Sequence, residues 1–242
     1  MVRKAREDGY CVVLAIFLHQ RQFAPGENVA LYPRDPERDL DVARECAADV
    51  LWDVREEDAY PPGFATELLQ RGLERTLSGV IHPEVLRIQL TTSVRLLNIL
   101  GARSAYFGEL DSYKALALRQ TLSDLALPAE VRLAPTARET DGLAYSSLNV
   151  NLYPEERRNA TQIYSTLREA QRLFAKEGET EVTRLLGRTS AALTRIPGFR
   201  LQYVRLLDPT TLLERTHAHL GDIVMTGGYF GRTRLSDAVH LD

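Results

Sequence analysis

The chain has 242 residues, 44% of them hydrophobic, which is long enough for one large globular domain or two small ones. Its 30 Lys and Arg residues against 33 Asp and Glu residues give a formal net charge of −3, which excludes the basic field typical of nucleic-acid-binding proteins. The sequence has no apolar run near the ~20 residues of a membrane span and no signal-peptide pattern, so we expect a cytoplasmic protein with no membrane partner. Cys11 and Cys46 are expected to be buried thiols in a reducing compartment.

The first half of the sequence alternates predicted strands with predicted helices. A continuous apolar run at 11–18 predicts a strand covered on both faces in a parallel sheet. The elements predicted after it are a helix over 35–50, a strand over 49–54, a helix over 84–101, a strand over 104–109, a helix over 111–127 and a strand over 129–136. This alternation predicts crossover units and a parallel sheet.

From about residue 150 the order changes, with helices first and strands afterwards. Two helices are predicted over 154–178 and 179–196, and strand candidates follow at 199–208 and 221–239. Helices followed by strands are typical of a small α+β domain. We therefore expect one domain over residues 1–137 and a second over residues 138–242.

Four stretches of the sequence share a register with one known family. They are "IFLHQRQFAPGENVALYPRDPERDL", "YPPG" followed by "RGLERTLSGVIHPEV", "TTSVRLLNILGARSAYFGELDSYKALALRQTLSDLALPAEV", and "RLAPTARETDGLAYSSLNVNLYPEER". Their order and spacing resemble the pantothenate synthetase (pantoate–β-alanine ligase) family, and the ending "TRLSDAV" is similar to the "TRLIDN" of that family. The resemblance covers nearly the whole chain from Val2 onward.

The resemblance implies an α/β fold: a Rossmann-like nucleotidylyltransferase parallel sheet, here shortened at its N-terminus, with a smaller, lid-like C-terminal α+β domain. Members of this family are usually homodimers. The family reaction uses ATP and Mg²⁺ to convert a carboxylic acid into an acyl adenylate, which an amine attacks to give an amide and AMP. Such catalysis depends on positioning the reactants and neutralising phosphate charge.

The resemblance also implies a nucleotide site. Gly108 and Asp111 match the nucleotide-contacting "FG.KD" turn, where a glycine lets backbone approach the ligand. Ser146 and Ser147 match the phosphate loop and are the expected catalytic donors, since hydroxyl and backbone N–H groups bind anions. Ala137 falls in the same nucleotide-binding region.

On the acid side, Gln22 matches a glutamine that contacts the hydroxy acid in the family. The family has asparagine where this chain has His19, and a second acid-contacting glutamine where it has Lys114. Both are expected to bind the acid substrate, and they would suit an acid other than pantoate, such as one with a second anionic group. Asp39 matches the acidic residue of the metal region.

Departures from the family pattern leave three hypotheses open. The lysine of "FGEKD" is Leu110 here and the arginine of "SSRN" is Leu148, so two cations that face the triphosphate are replaced by apolar side chains. The family also carries "MGALHEGHLSL" upstream of the point that Met1 matches, so we expect the run at 11–18 to be the second strand of its sheet. The chain is then a divergent ligase whose reading frame starts late, a non-catalytic paralogue that acts as a dimeric binding or regulatory module, or an ordinary pantothenate synthetase.

Overall fold

The computed structural model describes residues 1–23, 29–71, 82–211 and 213–242. These residues form two compact units, of which unit 1 extends to Ala134 and unit 2 runs from Pro135 to Asp242. Among the described residues, the parallel strand pairs lie in unit 1 and the antiparallel sheet lies in unit 2. The parallel α/β character of the first half and the α+β character of the second half are confirmed.

The predicted helices and strands occur in the predicted order, the strand candidate at 221–239 forms two strands, and the short helices Val2–Glu7 and Glu56–Ala59 were not predicted. The elements of unit 1 are α1 Val2–Glu7, β1 Val13–Ile16, α2 Pro36–Glu45, β2 Val50–Asp53, α3 Glu56–Ala59, α4 Pro83–Leu100, β3 Ser104–Gly108, α5 Ser112–Asp124 and β4 Glu130–Ala134. The elements of unit 2 are α6 Pro154–Glu177, α7 Val182–Thr194, β5 Phe199–Leu207, β6 Ile223–Phe230 and β7 Thr233–His240. Short 3₁₀ helices lie at Gln20–Gln22, Val29–Leu31, Glu109–Asp111 and Ser147–Asn151.

Capping residues explain where the long helices begin and end. The Asp35 carboxylate accepts a hydrogen bond from the Arg38 N–H at the start of α2, and Gly101 ends α4 in the left-handed region at φ 58°. Three predicted helices are shorter than expected. The helix predicted over 35–50, α2, ends at Glu45, just before a turn through Ala47 at φ 58°. The last, α7, begins at Val182 because Glu181 forms a β-bridge with His217, and α5 ends at Asp124 just before a turn through Ala126 at φ 51°.

The described residues of unit 1 contain two separate parallel strand pairs. Strand β1 pairs with β2, and β3 pairs with β4, but the described strands β1 and β3 are not paired with each other. The end of α1 contacts both pairs. The Arg6 guanidinium lies 2.7 Å from the Asp49 carboxylate beside β2, and the Asp8 carboxylate accepts hydrogen bonds from Tyr106 of β3 at 2.5 Å and Arg132 of β4 at 3.2 Å.

Burial of the first strand differs from the prediction. In β1, Val13, Leu14 and Ile16 are half-buried and Ala15 is exposed, so the expectation of a strand covered on both faces is wrong. The expectation of buried thiols fails too, because Cys11 is exposed. The physical reason is that, among the residues the structure describes, β1 has a strand neighbour on one side only, and parallel strands become buried only when neighbouring elements cover them.

Unit 2 is a three-stranded antiparallel sheet of order β5-β6-β7 packed against α6 and α7. Leu167 of α6, Leu185 and Leu193 of α7 and Phe230 of β6 are fully buried in its core. The amphipathic spacing of α6 produces this packing, since its apolar side chains recur at helical intervals on one face. The core fixes α6 against the sheet and so provides a rigid base for the residues that precede α6.

None of the described helices is long and apolar enough to span a membrane.

Candidate active site

A short β-hairpin at the start of unit 2 carries the two predicted catalytic serines. Ala137 and Tyr145 lie opposite each other, with the Tyr145 N–H donating to the Ala137 carbonyl at 3.0 Å, and Arg138 pairs with Ala144 in an antiparallel bridge. The Glu139 N–H donates to the Leu143 carbonyl at 2.8 Å. The predicted nucleotide residue Ala137 and the serines are therefore brought together by the two strands of one hairpin.

The segment after the hairpin, 145–149, is termed the serine loop. Ser146 is extended, and its Oγ accepts a hydrogen bond from the Leu148 N–H at 3.2 Å, which caps the 3₁₀ helix Ser147–Asn151. Asn149 Nδ2 reaches back and donates to the Ala144 carbonyl at 2.9 Å. Ser147 is exposed and Ser146 is half-buried. The loop thus has a defined backbone, and its two hydroxyl groups lie close to solvent where they can donate to an anion.

Ionic contacts hold the tip of the hairpin to the first turn of α6. Arg157 reaches Glu139 at 2.7 Å through Nη2 and Asp141 at 2.8 Å through Nη1. The Arg157 hydrogen bond holds the pKa of the Asp141 carboxyl below its usual value, and the Leu143 N–H adds to the effect. Asp141 is therefore ionised at neutral pH, and the hairpin is fixed to α6 from both sides of its turn.

His19 and Gln22, predicted to bind the acid, form a compact 3₁₀ turn just after β1. His19 Nδ1 accepts from the Arg21 N–H at 3.2 Å, and Gln22 Oε1 accepts from the His19 N–H at 3.1 Å. Because Nδ1 is an acceptor, the ring proton lies on Nε2, which is 3.1 Å from Glu56 Oε1. The structure brings these two residues together, although both side chains also serve local contacts.

The predicted nucleotide residues of unit 1 follow β3. Gly108 ends β3 at φ −76° and ψ 150°, a conformation open to any residue, so the backbone does not require a glycine here. An added Cβ would lie 4.0 Å from Met1 Sδ, an ordinary contact distance. Asp111 ends the next 3₁₀ helix, and its side chain lies outside the described part of the chain. Lys114, one turn into α5, has its ammonium 5.7 Å from the Tyr113 ring centroid.

Asp39, predicted to be a metal ligand, lies half-buried in the first turn of α2. No group of three or more His, Cys, Asp or Glu side chains that could hold a metal ion occurs among the residues that the structure describes. One carboxylate fits Mg²⁺ only in the mode in which substrate phosphates and water supply the other ligands. Asp39 suits that mode and no all-protein metal site.

Sequence reasoning did not single out the cation that anchors the hairpin. Arg138 lies in the quoted stretch "RLAPTARETDGLAYSSLNVNLYPEER", and its partner Asp237 lies in the quoted ending "TRLSDAV". The two residues are 99 positions apart, so no local pattern joins them. The signal available in the sequence was that each of these two matched motifs contains a charged residue.

Comparisons with known proteins agree on one family. The family model described as pantoate-beta-alanine ligase matches residues 1–240. The pantothenate synthetase of Syntrophotalea carbinolica is 37% identical over 237 residues, which cover 98% of this chain and 83% of that protein. The pantothenate synthetase of Thermus thermophilus is 37% identical over 242 residues, covering 100% of this chain and 87% of the relative.

Solved structures of this family superpose on the chain. The crystal structure of pantothenate synthetase from Thermus thermophilus matches with a TM-score of 0.90 at 37% identity, over 99% of this chain and 87% of that one. A pantoate-beta-alanine ligase from Francisella tularensis, complexed with beta-gamma ATP and beta-alanine, shares the fold with a TM-score of 0.77 at 24% identity, over 99% of this chain and 83% of that one. The chain is therefore a member of the pantoate–β-alanine ligase family of ATP-dependent enzymes.

Proposed function

We propose that this chain condenses a hydroxy acid of the pantoate class with an amine such as β-alanine, and that each predicted site residue singled out above contacts one of the reactants. The observation that carries the proposal is the serine loop, whose backbone is fixed by hydrogen bonds of Ser146 and Asn149 within the protein. A preformed loop favours catalysis because its donors need no reorganisation when charge develops on the phosphate.

The two proposed steps balance as follows. An oxygen of the acid attacks the α-phosphorus of ATP, the bond to the β-phosphate bridging oxygen breaks, and pyrophosphate leaves. The amine nitrogen then attacks the acyl carbon, the bond from carbon to the AMP oxygen breaks, and the nitrogen loses a proton. Ser146 and Ser147 donate hydrogen bonds to phosphate oxygens in the first step, because the negative charge on these oxygens increases most in that step. Gly108, Asp111 and Ala137 bind the nucleotide in this proposal.

The acid is assigned to His19, Gln22 and Lys114. The Lys114 ammonium supplies a positive charge for a carboxylate, and the His19 ring supplies a donor at Nε2 beside Glu56. Gln22 contributes its amide near the same turn. Lys114 places a cation where the family has an amide, which favours an acid with a second anionic group over pantoate itself.

Mg²⁺ is assigned to Asp39 and the phosphates of ATP. The Francisella tularensis relative is complexed with beta-gamma ATP and beta-alanine, which supports a nucleotide and an amine as ligands of this fold. When bound, Mg²⁺ would neutralise phosphate charge. Asp39 supplies one oxygen ligand at the start of α2, consistent with the low number of protein ligands that Mg²⁺ takes in nucleotide sites.

A homodimer in the cytoplasm completes the proposal. An apolar groove of about 370 Å³ runs along α4 between Phe64, Leu68 and Val94, and Ile99 at its end is half exposed, which supports a second copy as partner. The cysteines are free, which fits a reducing compartment. Sedimentation at micromolar concentration tests the dimer.

The test of the ligase is acid-dependent exchange of labelled pyrophosphate into ATP, with pantoate and a panel of hydroxy acids that carry a second carboxylate. We expect exchange with at least one acid, and AMP release once β-alanine is added. Lys114→Gln should move the preference towards pantoate, whereas Lys176→Gln, at the exposed end of α6, serves as the matched control. An unchanged preference contradicts the assignment of Lys114, and no exchange with any acid contradicts the ligase.

A non-catalytic module is the second candidate, favoured by Leu110 and Leu148. The Leu148 side chain supplies no donor, and its N–H is already bound by Ser146 Oγ. This candidate predicts no pyrophosphate exchange, whether or not ATP binds. Calorimetric titration of ATP, run beside the exchange assay, separates a nucleotide-binding module from a protein that has lost the nucleotide site.

A further inference from the structure

Arg138 joins three elements of unit 2 at one buried point. Its guanidinium donates to both carboxylate oxygens of Asp237 on β7, at 2.7 Å and 2.8 Å, and stacks on the ring of Tyr164 on α6 at 3.6 Å from the centroid. The Arg138 and Asp237 side chains are only 15% and 5% exposed. A bidentate, stacked arginine has a fixed orientation, which a lysine could not reproduce.

The same guanidinium also holds the hairpin that precedes the serine loop. Nη1 donates to the Gly142 carbonyl at 3.2 Å, and the Arg138 backbone pairs with Ala144. Ala144 in turn accepts the Asn149 side chain that closes the serine loop. A shift of Arg138 therefore moves Ala144, and Ala144 moves both ends of the loop that contains Ser146.

A buried ion pair is a costly way to stabilise a fold. Burial raises the pKa of the Asp237 carboxyl and the paired Arg138 guanidinium opposes that rise, so part of the attraction only offsets desolvation. Well-packed apolar side chains of similar volume often give equal or greater stability. The pair makes directional hydrogen bonds, which apolar side chains lack. These bonds fix the hairpin at a defined angle to α6 and β7.

We infer that Arg138, held by Asp237 and Tyr164, is a positioning residue that sets the backbone of the serine loop for the phosphates of the nucleotide. This inference rests on the proposed function. Arg138 itself touches no reacting atom, and its effect passes through Ala144 to Ser146. A displacement of the loop by about 1 Å is enough to lower the rate by about 10²-fold.

The experiment separates positioning from stability with paired substitutions in the full chain. Arg138→Met alone leaves the Asp237 carboxylate buried without its partner, so it should lower stability strongly. Arg138→Met with Asp237→Leu removes both charges and should recover most of that stability. We expect the double variant to show kcat for pyrophosphate exchange reduced by about 10²-fold, with KM for the acid unchanged. Arg138→Lys should not rescue kcat. Glu169→Ala with Arg172→Ala removes an exposed ion pair of α6 and should leave exchange at the level of the parent.

Two outcomes overturn the inference. Wild-type kcat in the stable double variant means that the pair serves stability alone. Hydrogen exchange of the Leu148 and Asn149 amides provides the second readout, since both are bonded to Ser146 in the loop. We expect at least about tenfold faster exchange of these amides in the double variant. If the parent protein shows no pyrophosphate exchange, the proposed function fails, and unchanged protection of these two amides then rejects the positioning role independently.

Discussion

Gly142→Ala tests the packing that supports the serine loop. Gly142 has φ 93°, which a residue with a Cβ adopts only at a cost of about 1–2 kcal/mol. An added Cβ would also lie 2.9 Å from Tyr164 Cδ1, closer than normal van der Waals contact. The ring has little freedom to move away, because the Arg138 guanidinium is stacked on it at 3.6 Å. Overpacking of this kind adds about 1–3 kcal/mol.

The expected total for Gly142→Ala is a loss of about 2–5 kcal/mol in the free energy of unfolding. Gly178→Ala, at the C-terminal end of α6, is the matched control. Gly178 has φ 67°, and nothing lies within 4 Å of its added Cβ, so only the backbone cost of about 1–2 kcal/mol applies. Urea unfolding followed by far-UV circular dichroism measures both variants, and hydrogen exchange of α6 amides assigns the loss to unit 2.

Equal destabilisation of the two glycine variants would refute the reasoning, because it would mean that the Tyr164 ring yields at no cost. If Gly142→Ala loses only the backbone cost of about 1–2 kcal/mol, the Tyr164 ring gives the hairpin no rigid support. The stacked Arg138–Tyr164 pair would then be too mobile to fix the serine loop.

Two further predictions concern function and acid stability. Leu148→Arg should raise the rate of pyrophosphate exchange by at least about tenfold, since one preorganised donor at a phosphate contributes about 10²–10³ in rate. The control Leu148→Met should not raise it. An unchanged rate with arginine contradicts the placement of phosphates at this loop. Hydrogen bonds from Lys4 and Tyr106 lower the pKa of Asp8 to about 2, below the unfolded value of about 3.9, so its stabilising contribution is present above about pH 4 and is lost as the pH falls towards 2. The stability gap between the parent and Asp8→Asn should therefore narrow over that window in thermal melts, and a constant gap contradicts the lowered pKa.

Much of the secondary structure could be predicted from local signals. The start of α2 and the ends of α4 and α6 were predicted to within one residue. The residues that decide them, Asp35, Gly101 and Gly178, act through their own backbone or side chain. Two predictions failed where a distant partner decides. Glu181 leaves the helix pattern because it bridges His217, and the exposure of β1 depends on which strands lie beside it.

The sequence by itself determined the family, the parallel α/β half and the α+β half, and the chemistry available at each loop, since order, spacing and periodicity are properties of the chain. Tertiary structure alone decided which of those groups act together. The serine loop became a defined element through Asn149, Arg157 and the Arg138–Asp237 pair, whose members are 99 residues apart in the chain. Contacts between residues so far apart depend on how the helix and sheet of unit 2 pack. The side-chain pattern within a local window does not predict that packing.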